Sequence, residues 1–109
     1  MIDVVGFRYC RLGTANLEET VKFATDMIGL EEVGRENGFV YMRGDDRDHN
    51  ICYFEGDPTD HTLGLELAGF DELAAAESAL SAAGLVVHRG TDAEDAARRC
   101  MGYANFKDP

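Results

Sequence analysis

The sequence predicts an α+β fold built from two similar halves, each with the element order βαβββ. Three observations lead to this prediction: short segments alternate apolar and polar residues, two amphipathic helices each end at a glycine, and the two helices lie at a constant offset. A chain of 109 residues, 45% of them apolar, has the size of one domain with one packed core. We therefore expect a single domain over residues 1–109, with one repeat over 5–56 and a second over 60–109.

The first repeat begins with a strand and a helix. Alternation over residues 7–13 predicts the strand. Asn16 precedes the helix and Glu19 stands at its third position, which predicts a reciprocal capping pair. Gly29 supplies the left-handed residue that commonly ends a helix. Between these signals, apolar residues recur at helical spacing at Leu17, Val21, Ala24 and Ile28.

Three short strands are predicted after this helix. They cover residues 30–33, 38–43 and 50–54, and residues 36–38 and 44–46 between them are typical of turns. The first half therefore has the order βαβββ.

The second half repeats the opening of the first. Residues 61–68 alternate as a strand, and Asp71 is predicted to cap a helix that ends at Gly84. Asn16 and Asp71 lie 55 positions apart, and so do Gly29 and Gly84. A common offset at both ends of the helices indicates a duplicated unit. The apolar positions of the second helix are Leu73, Ala76, Leu80 and Ala83.

The last segments are predicted as a strand over 85–89, an acidic, alanine-rich connector over 91–99, and a strand over 101–106. On the same offset, the counterpart of the strand at 50–54 falls at 105–109 or a little later. We expect this last strand to be missing from the chain. An edge left unpaired exposes backbone N–H and C=O groups, so we expect a longer chain, or else another subunit, to complete the sheet.

Charge limits the choice of partners. The chain has 21 acidic and 10 basic residues and a formal charge of −11, which repels phosphate backbones and anionic lipid head groups. We expect no nucleic-acid partner and no membrane partner.

The three cysteines, Cys10, Cys52 and Cys100, are widely spaced and form no C-x-x-C pair. This spacing favours reduced thiols over a disulfide framework or a zinc knuckle. The amino terminus lacks a cationic start followed by a long apolar run. We expect the protein to be cytoplasmic.

The tandem βαβββ repeat resembles the vicinal oxygen chelate superfamily, which includes glyoxalase I, bleomycin-resistance proteins and extradiol ring-cleavage dioxygenases. Within it, the sequence is most similar to the amino-terminal domain of two-domain type I extradiol dioxygenases. This resemblance implies a curved mixed sheet and, after an Asp-Pro pair such as Asp108-Pro109, a final strand that carries a glutamate ligand in metal-binding modules. The segments that carry it are NLEETVKFATDMIGL (16–30), YMRGDDRDHNICYFEG (41–56) and GTDAEDAARRCMGYANFKDP (90–109).

The resemblance also implies where metal ligands would lie. Enzymes of this superfamily hold a divalent metal with His or Glu side chains, and the dioxygenases use two histidines and one carboxylate for Fe(II). The first histidine position corresponds to Tyr9, the second to His61 or Thr62 depending on the register, and the third lies beyond Pro109. His61 is a candidate ligand, with a solvated residue at the strand entrance as the favoured alternative. We expect no cofactor in this chain and Fe(II) or another divalent metal in a partner module.

Two further histidines and three tyrosines complete the candidates. His49 matches a histidine that recurs in the amino-terminal dioxygenase domain without binding iron, and it is predicted to be a polar turn residue. His88 is predicted at the surface. The aromatic residues Tyr9, Tyr41 and Tyr53 lie on predicted strands, either as a pocket for an aromatic small molecule or as part of the core. No motif for nucleophilic catalysis or nucleotide binding occurs, so no catalytic residue is predicted.

The resemblance implies the non-catalytic amino-terminal module of an extradiol-dioxygenase-like protein, which packs beside a metal-bearing module. One alternative is a metal-free dimer of the bleomycin-resistance kind that binds an aromatic ligand, for which the acidity suits a cationic drug. Another is a metal-dependent glyoxalase-like lyase or isomerase whose site is completed across a dimer. The expected protein partner is thus a second copy or a second module.

Overall fold

The computed structural model describes residues 1–107; Asp108 and Pro109, the Asp-Pro pair of the resemblance, lie outside the described residues. The protein is α+β, and its first half has the predicted order βαβββ. No helix among residues 1–107 is long and apolar enough to cross a membrane. In chain order, the elements are β1 (Gly6–Thr14), α1 (Leu17–Phe23), a π-helical turn (Ala24–Ile28), β2 (Glu31–Glu36), β3 (Phe39–Arg43), β4 (Ile51–Glu55), β5 (His61–Glu66), α2 (Phe70–Ala82), β6 (His88–Arg89), α3 (Asp92–Arg98) and β7 (Ala104–Asn105).

The described residues form two compact units. One comprises Phe7–Leu65, and the other combines Met1–Gly6 with the residues from Glu66 onward. The first unit contains α1 and the strands β2, β3 and β4, and the second contains α2, α3, β6 and β7.

A five-stranded mixed sheet has the order β2-β3-β4-β1-β5. β1 pairs with β4 in parallel, whereas β3 pairs antiparallel with both β2 and β4. The register places Arg11 opposite Cys52 and Cys52 opposite Tyr41. The hairpin between β2 and β3 turns through Asn37 and Gly38 with φ of 52° and 83°, as a type I′ turn requires.

The predicted cap of α1 is confirmed, but its reciprocal half has a different partner. The Asn16 side chain accepts a hydrogen bond from the backbone N–H of Glu19 at 3.2 Å. The Asn16 N–H donates to the hydroxyl of Thr14 at 3.3 Å. Thr14 is thus the acceptor for this N–H, whereas the sequence predicted the Glu19 side chain as the acceptor. Gly29 adopts φ of 84° and ends the helix, as predicted.

The last turn of this helix is π-helical, which the sequence pattern did not indicate. The carbonyl of Ala24 accepts hydrogen bonds from the N–H groups of both Gly29 and Leu30. The wider turn changes the register of the apolar stripe. Ile28, predicted on the buried stripe, is 56% exposed.

The core lies between α1 and one face of the sheet. Burial of the apolar side chains between α1 and the sheet is the main stabilising contribution in the unit Phe7–Leu65. α1 covers this face of the sheet. The buried cluster consists of Val21, Ala24, Val40, Met42 and Tyr53, with Leu12, Leu17, Leu30 and Ile51 partly buried against it.

The predicted cap of α2 is wrong by two residues. The helix begins at Phe70, its N-cap is Gly69 in an extended conformation, and Asp71 lies inside the first turn. The carbonyl of Gly69 accepts the first helical hydrogen bond, from the N–H of Leu73 at 3.0 Å. Gly84 has a left-handed φ of 88°, so the 55-residue offset holds where the helices end but not where they begin.

Residues 91–99, predicted as a connector, contain α3 instead. Thr91 and Glu94 form both halves of a capping box, and Arg99 ends the helix with φ of 54°. The strands on either side are shorter than predicted: β6 covers His88–Arg89 and β7 covers Ala104–Asn105, and they pair antiparallel as a two-stranded sheet.

Candidate functional site

The sheet face opposite α1, here called the distal face, holds a group of polar and aromatic side chains. Side chains alternate between the faces of a sheet, and Val40 and Tyr53 pack on the α1 side. Their neighbours in sequence therefore point to the distal face. On β1, β3 and β4 this face carries Tyr9, Arg11, Phe39, Tyr41, Cys52 and Phe54.

His49 is buried on the distal face between two tyrosines. Its ring centroid lies 5.0 Å from that of Tyr41, edge to face, and 5.5 Å from that of Tyr9. Nδ1 of His49 lies 3.0 Å from a carboxylate oxygen of Asp48. His49 lies in the loop between β3 and β4, where the sequence predicted a polar turn residue, and it is packed there with only 6% of its surface exposed.

The loop between β3 and β4 positions this histidine. The N–H of Gly44 donates to the side-chain oxygen of Asn50 at 2.8 Å, and the N–H of Asn50 donates to the carbonyl of Met42 at 2.8 Å. Both bonds close the loop at its base. The sequence signal for this arrangement is the Asn50 side chain, since Asn commonly stabilises turns by bonding to nearby backbone.

Arg11 is a buried cation that sequence reasoning missed. It is 7% exposed, and its guanidinium carbon lies 4.6 Å from the centre of the Phe39 ring. Its Nη1 is buried without a hydrogen-bond partner among the described residues. Strand alternation places Arg11 on the opposite face from Cys10 and Leu12, so no signal in the sequence indicated that Arg11 is buried.

The three tyrosines predicted to form a pocket fall on two faces of the sheet. Tyr9 and Tyr41 lie together around His49 on the distal face. Tyr53 belongs to the core cluster under α1. Burial raises the pKa of the Tyr53 phenol, and the nearby Cys10 thiol adds to this rise because its thiolate disfavours a second negative charge.

His61 and Thr62, the two residues that could correspond to the second metal-binding histidine, lie on opposite faces of β5. A Cβ atom at Gly64 would lie 2.7 Å from the Tyr9 ring, so Gly64 faces the distal side. By alternation Thr62 faces the same side, whereas His61 faces away and is exposed. Among residues 1–107, no group of three or more His, Cys, Asp or Glu side chains is arranged to hold a metal ion.

His88 is exposed, and it stabilises the start of α3. Its Nε2 lies 2.8 Å from a carboxylate oxygen of Glu94, which also accepts a hydrogen bond from the N–H of Thr91 at 3.0 Å. The backbone hydrogen bond from Thr91, and secondarily the contact with His88, lower the pKa of Glu94 to about 2. This cluster caps a helix and shows no arrangement for catalysis.

Comparison with known proteins decides the family. The model of the Glyoxalase/Bleomycin resistance protein/Dioxygenase superfamily matches residues 6–109. The chain belongs to this superfamily. The resemblance inferred from the sequence is thereby confirmed, whereas no curated protein sequence matches the chain.

Solved structures with the same fold include catechol dioxygenases. A halotolerant catechol dioxygenase, BphC, superposes with a TM-score of 0.88 at 26% identity over 100% of this chain and 37% of its own. A catechol 2,3-dioxygenase superposes with a TM-score of 0.86 at 28% identity over 98% of this chain and 38% of its own. Homoprotocatechuate 2,3-dioxygenase from Brevibacterium fuscum, at 20% identity and a TM-score of 0.71, covers 83% of this chain and 26% of its own and shows the shared fold. The chain spans less than two fifths of the length of these enzymes.

Proposed function

We propose that this chain is a non-catalytic module of an extradiol-dioxygenase-like protein, equivalent to the amino-terminal domain of such enzymes. It packs beside a module that binds Fe(II) or another divalent metal and shapes access to it. The extent of the structural likeness supports this proposal, since the chain corresponds to 37% and 38% of two catechol dioxygenases.

The observation that carries the proposal is the identity of the side chains at two positions where the superfamily holds metal-binding histidines. Tyr9 is packed against His49 and over Gly64. Thr62 has a neutral hydroxyl, a poor ligand for Fe(II) compared with imidazole or carboxylate. His61 is exposed on the other face of β5, away from both positions.

Anaerobic reconstitution of the purified chain with Fe(II), followed by removal of free metal, tests this proposal. We expect far less than one iron per chain and no ring cleavage of catechol. The His61→Ala variant should have the same iron content as the parent. Stoichiometric iron that is lost in His61→Ala, or ring cleavage by the chain alone, would contradict the proposal.

A second candidate function is supported by the distal face itself. Tyr9, Tyr41 and His49 form an aromatic cluster there, and such clusters commonly line sites for aromatic molecules. In this case the chain binds a small aromatic molecule without a metal. Calorimetric titration with catechol in the presence of a chelator should give a binding isotherm, and the absence of heat would exclude this candidate for catechol.

The domain organisation and location are part of the same proposal. Residues 1–109 form one domain of two repeats, over 5–56 and 60–109, which associates with a second module or a second copy of the chain. Light scattering at several protein concentrations distinguishes a monomer from a dimer. A cytoplasmic location is part of the same proposal, because the wide spacing of the three cysteines in the sequence favours reduced thiols over a disulfide framework.

A further inference from the structure

Arg11 carries a permanent positive charge in a buried position. A guanidinium stays protonated in proteins, so burial cannot neutralise it. Only 7% of Arg11 is exposed, and its Nη1 has no hydrogen-bond partner among the described residues. A buried charge of this kind is destabilising unless an anion pairs with it.

Arg11 differs from several other arginines of the chain in having no carboxylate partner among the described residues. In a chain with 21 acidic residues, several partly exposed arginines each pair with a carboxylate. No described carboxylate forms an ion pair with Arg11. The paired arginines are Arg35 with Glu18 and Glu32, Arg43 with Glu31, Arg47 with Asp45, and Arg89 with Glu77.

Aromatic side chains lie on the same sheet face as Arg11. Phe39 lies under the guanidinium at 4.6 Å, and the Phe54 ring centroid is 5.8 Å from that of Phe39. The strand neighbour of Arg11 across the β1–β4 pair is Cys52. The Phe39 ring lies against the guanidinium. The N–H groups of a guanidinium bind a planar carboxylate with two parallel hydrogen bonds.

We propose that Arg11 anchors the carboxylate of a small aromatic acid on the distal face. The N–H edge of Arg11 donates to the carboxylate, and the rings of Phe39 and Phe54 contact the aromatic part of the ligand. The proposal rests on the second candidate function, the binding of a small aromatic molecule without a metal, and specifies that this molecule is an anion. Despite the net charge of −11, the expected ligand is an anion, because the buried charge on this face is positive.

The test uses the full chain, labelled with ¹⁵N, and three probes: benzoate, benzyl alcohol and acetate. Chemical-shift titration should show benzoate binding roughly tenfold or more tightly than either other probe, since a charge-assisted hydrogen bond contributes on this scale. Arg11→Met should weaken benzoate binding by roughly tenfold or more and leave benzyl alcohol binding unchanged. Arg8→Met is the matched control, because Arg8 is exposed on the same strand and faces the other side. It should change neither affinity.

The possible failures are distinguishable. If benzoate and benzyl alcohol bind equally and Arg11→Met affects neither, the anion site is overturned while the aromatic-ligand function stands. If no probe binds, the anion site is overturned, and the titration with catechol then decides whether the aromatic-ligand function stands. Acetate binding as tight as benzoate overturns the contribution of the aromatic rings.

Unfolding by urea without ligand gives an independent readout. The comparison is made in a Phe39→Leu background, which lacks the ring contact with Arg11. There, replacing an unpaired buried cation with an apolar side chain of similar length should leave the chain as stable or more stable. A marked loss of stability on adding Arg11→Met to this background, absent on adding Arg8→Met, would mean that a carboxylate of the protein already pairs with Arg11 and would overturn the proposal.

Discussion

The guanidinium carbon of Arg11 lies 4.6 Å from the centre of the Phe39 ring, although β4 separates the strands that carry these two residues. The Arg11 side chain therefore lies across β4 on the distal face. Its neighbour on β4 in the register is Cys52, whose small side chain leaves room for this crossing. The contact joins β1 to β3 without a shared backbone hydrogen bond.

A double-mutant cycle measures this contact. Combining Arg11→Met with Phe39→Leu should reveal a coupling of about 0.5–2 kcal/mol in the free energy of unfolding, because the cation loses its interaction with the ring. In the control cycle, Arg8→Met and Phe39→Leu should be additive. Equal couplings in the two cycles would show that the contact contributes nothing.

Gly64 is predicted to be intolerant of a side chain. A Cβ atom there would lie 2.7 Å from the Tyr9 ring, which packs against His49 and cannot move freely. Gly64→Ala should lower the free energy of unfolding by about 1–3 kcal/mol, measured by urea denaturation. Because the clash is with the Tyr9 ring, the same substitution in a Tyr9→Ala background should cost much less, and an unchanged cost would locate the strain elsewhere.

Replacing His49 with alanine should destabilise the protein far more than replacing His61. His49 is 6% exposed between Tyr9 and Tyr41, so His49→Ala should destabilise the protein by about 2 kcal/mol through lost packing and ring contacts. His61 is exposed, and His61→Ala should change stability by less than about 0.5 kcal/mol. Urea denaturation of both variants checks the pair, and equal effects would contradict the assigned burial.

The two predicted caps provide a further matched pair. Asn16→Ala removes the hydrogen bond to the N–H of Glu19 and should cost about 1 kcal/mol. Asp71→Ala removes no cap, because Gly69 is the N-cap of α2, and should cost roughly 0.5 kcal/mol or less from lost interaction with the helix dipole. If thermal unfolding shows a larger loss for Asp71→Ala, α2 begins later than the structure indicates.

Glu94 should make stability depend on acid pH. Its pKa in the folded protein is about 2, below the ordinary value of 4.5, so its contribution is present above pH 4.5 and is lost as the pH falls through about 2. Glu94→Gln should reduce the pH dependence of urea unfolding between these limits. Asp92→Asn, a charge change in the same first turn, is the control. An identical slope in Glu94→Gln and the parent would contradict this assignment.

Local signals in the sequence were sufficient for much of the fold. Asn16, Gly29 and the turn through Asn37 and Gly38 act on their nearest backbone neighbours, and each lies where the pattern predicted. Errors arose where two local signals compete. Asp71 is a good capping residue, but the helix already begins at Phe70, and Thr91 with Glu94 formed a capping box inside an acidic segment that was interpreted as a connector.

The candidate site was less predictable, because its contacts are distant in sequence. Tyr9, Tyr41 and Tyr53 all lie on strands. The strand register pairs Tyr53 with Val40, so Tyr53 lies in the core. Tyr9 and Tyr41 lie on the other face, beside His49. The assignment of Thr62, rather than His61, to the distal face likewise depends on a tertiary contact, the close packing of Gly64 against the Tyr9 ring.

The sequence by itself determined the family, the α+β class, the βαβββ order of the first half and the glycines that end the first two helices, because periodicity, capping and turn chemistry act over a few residues. Only the tertiary structure decided that Arg11 is buried against Phe39 and that Thr62, not His61, lies on the distal face. The physical reason is that strand register, not composition, sets the face to which each side chain points.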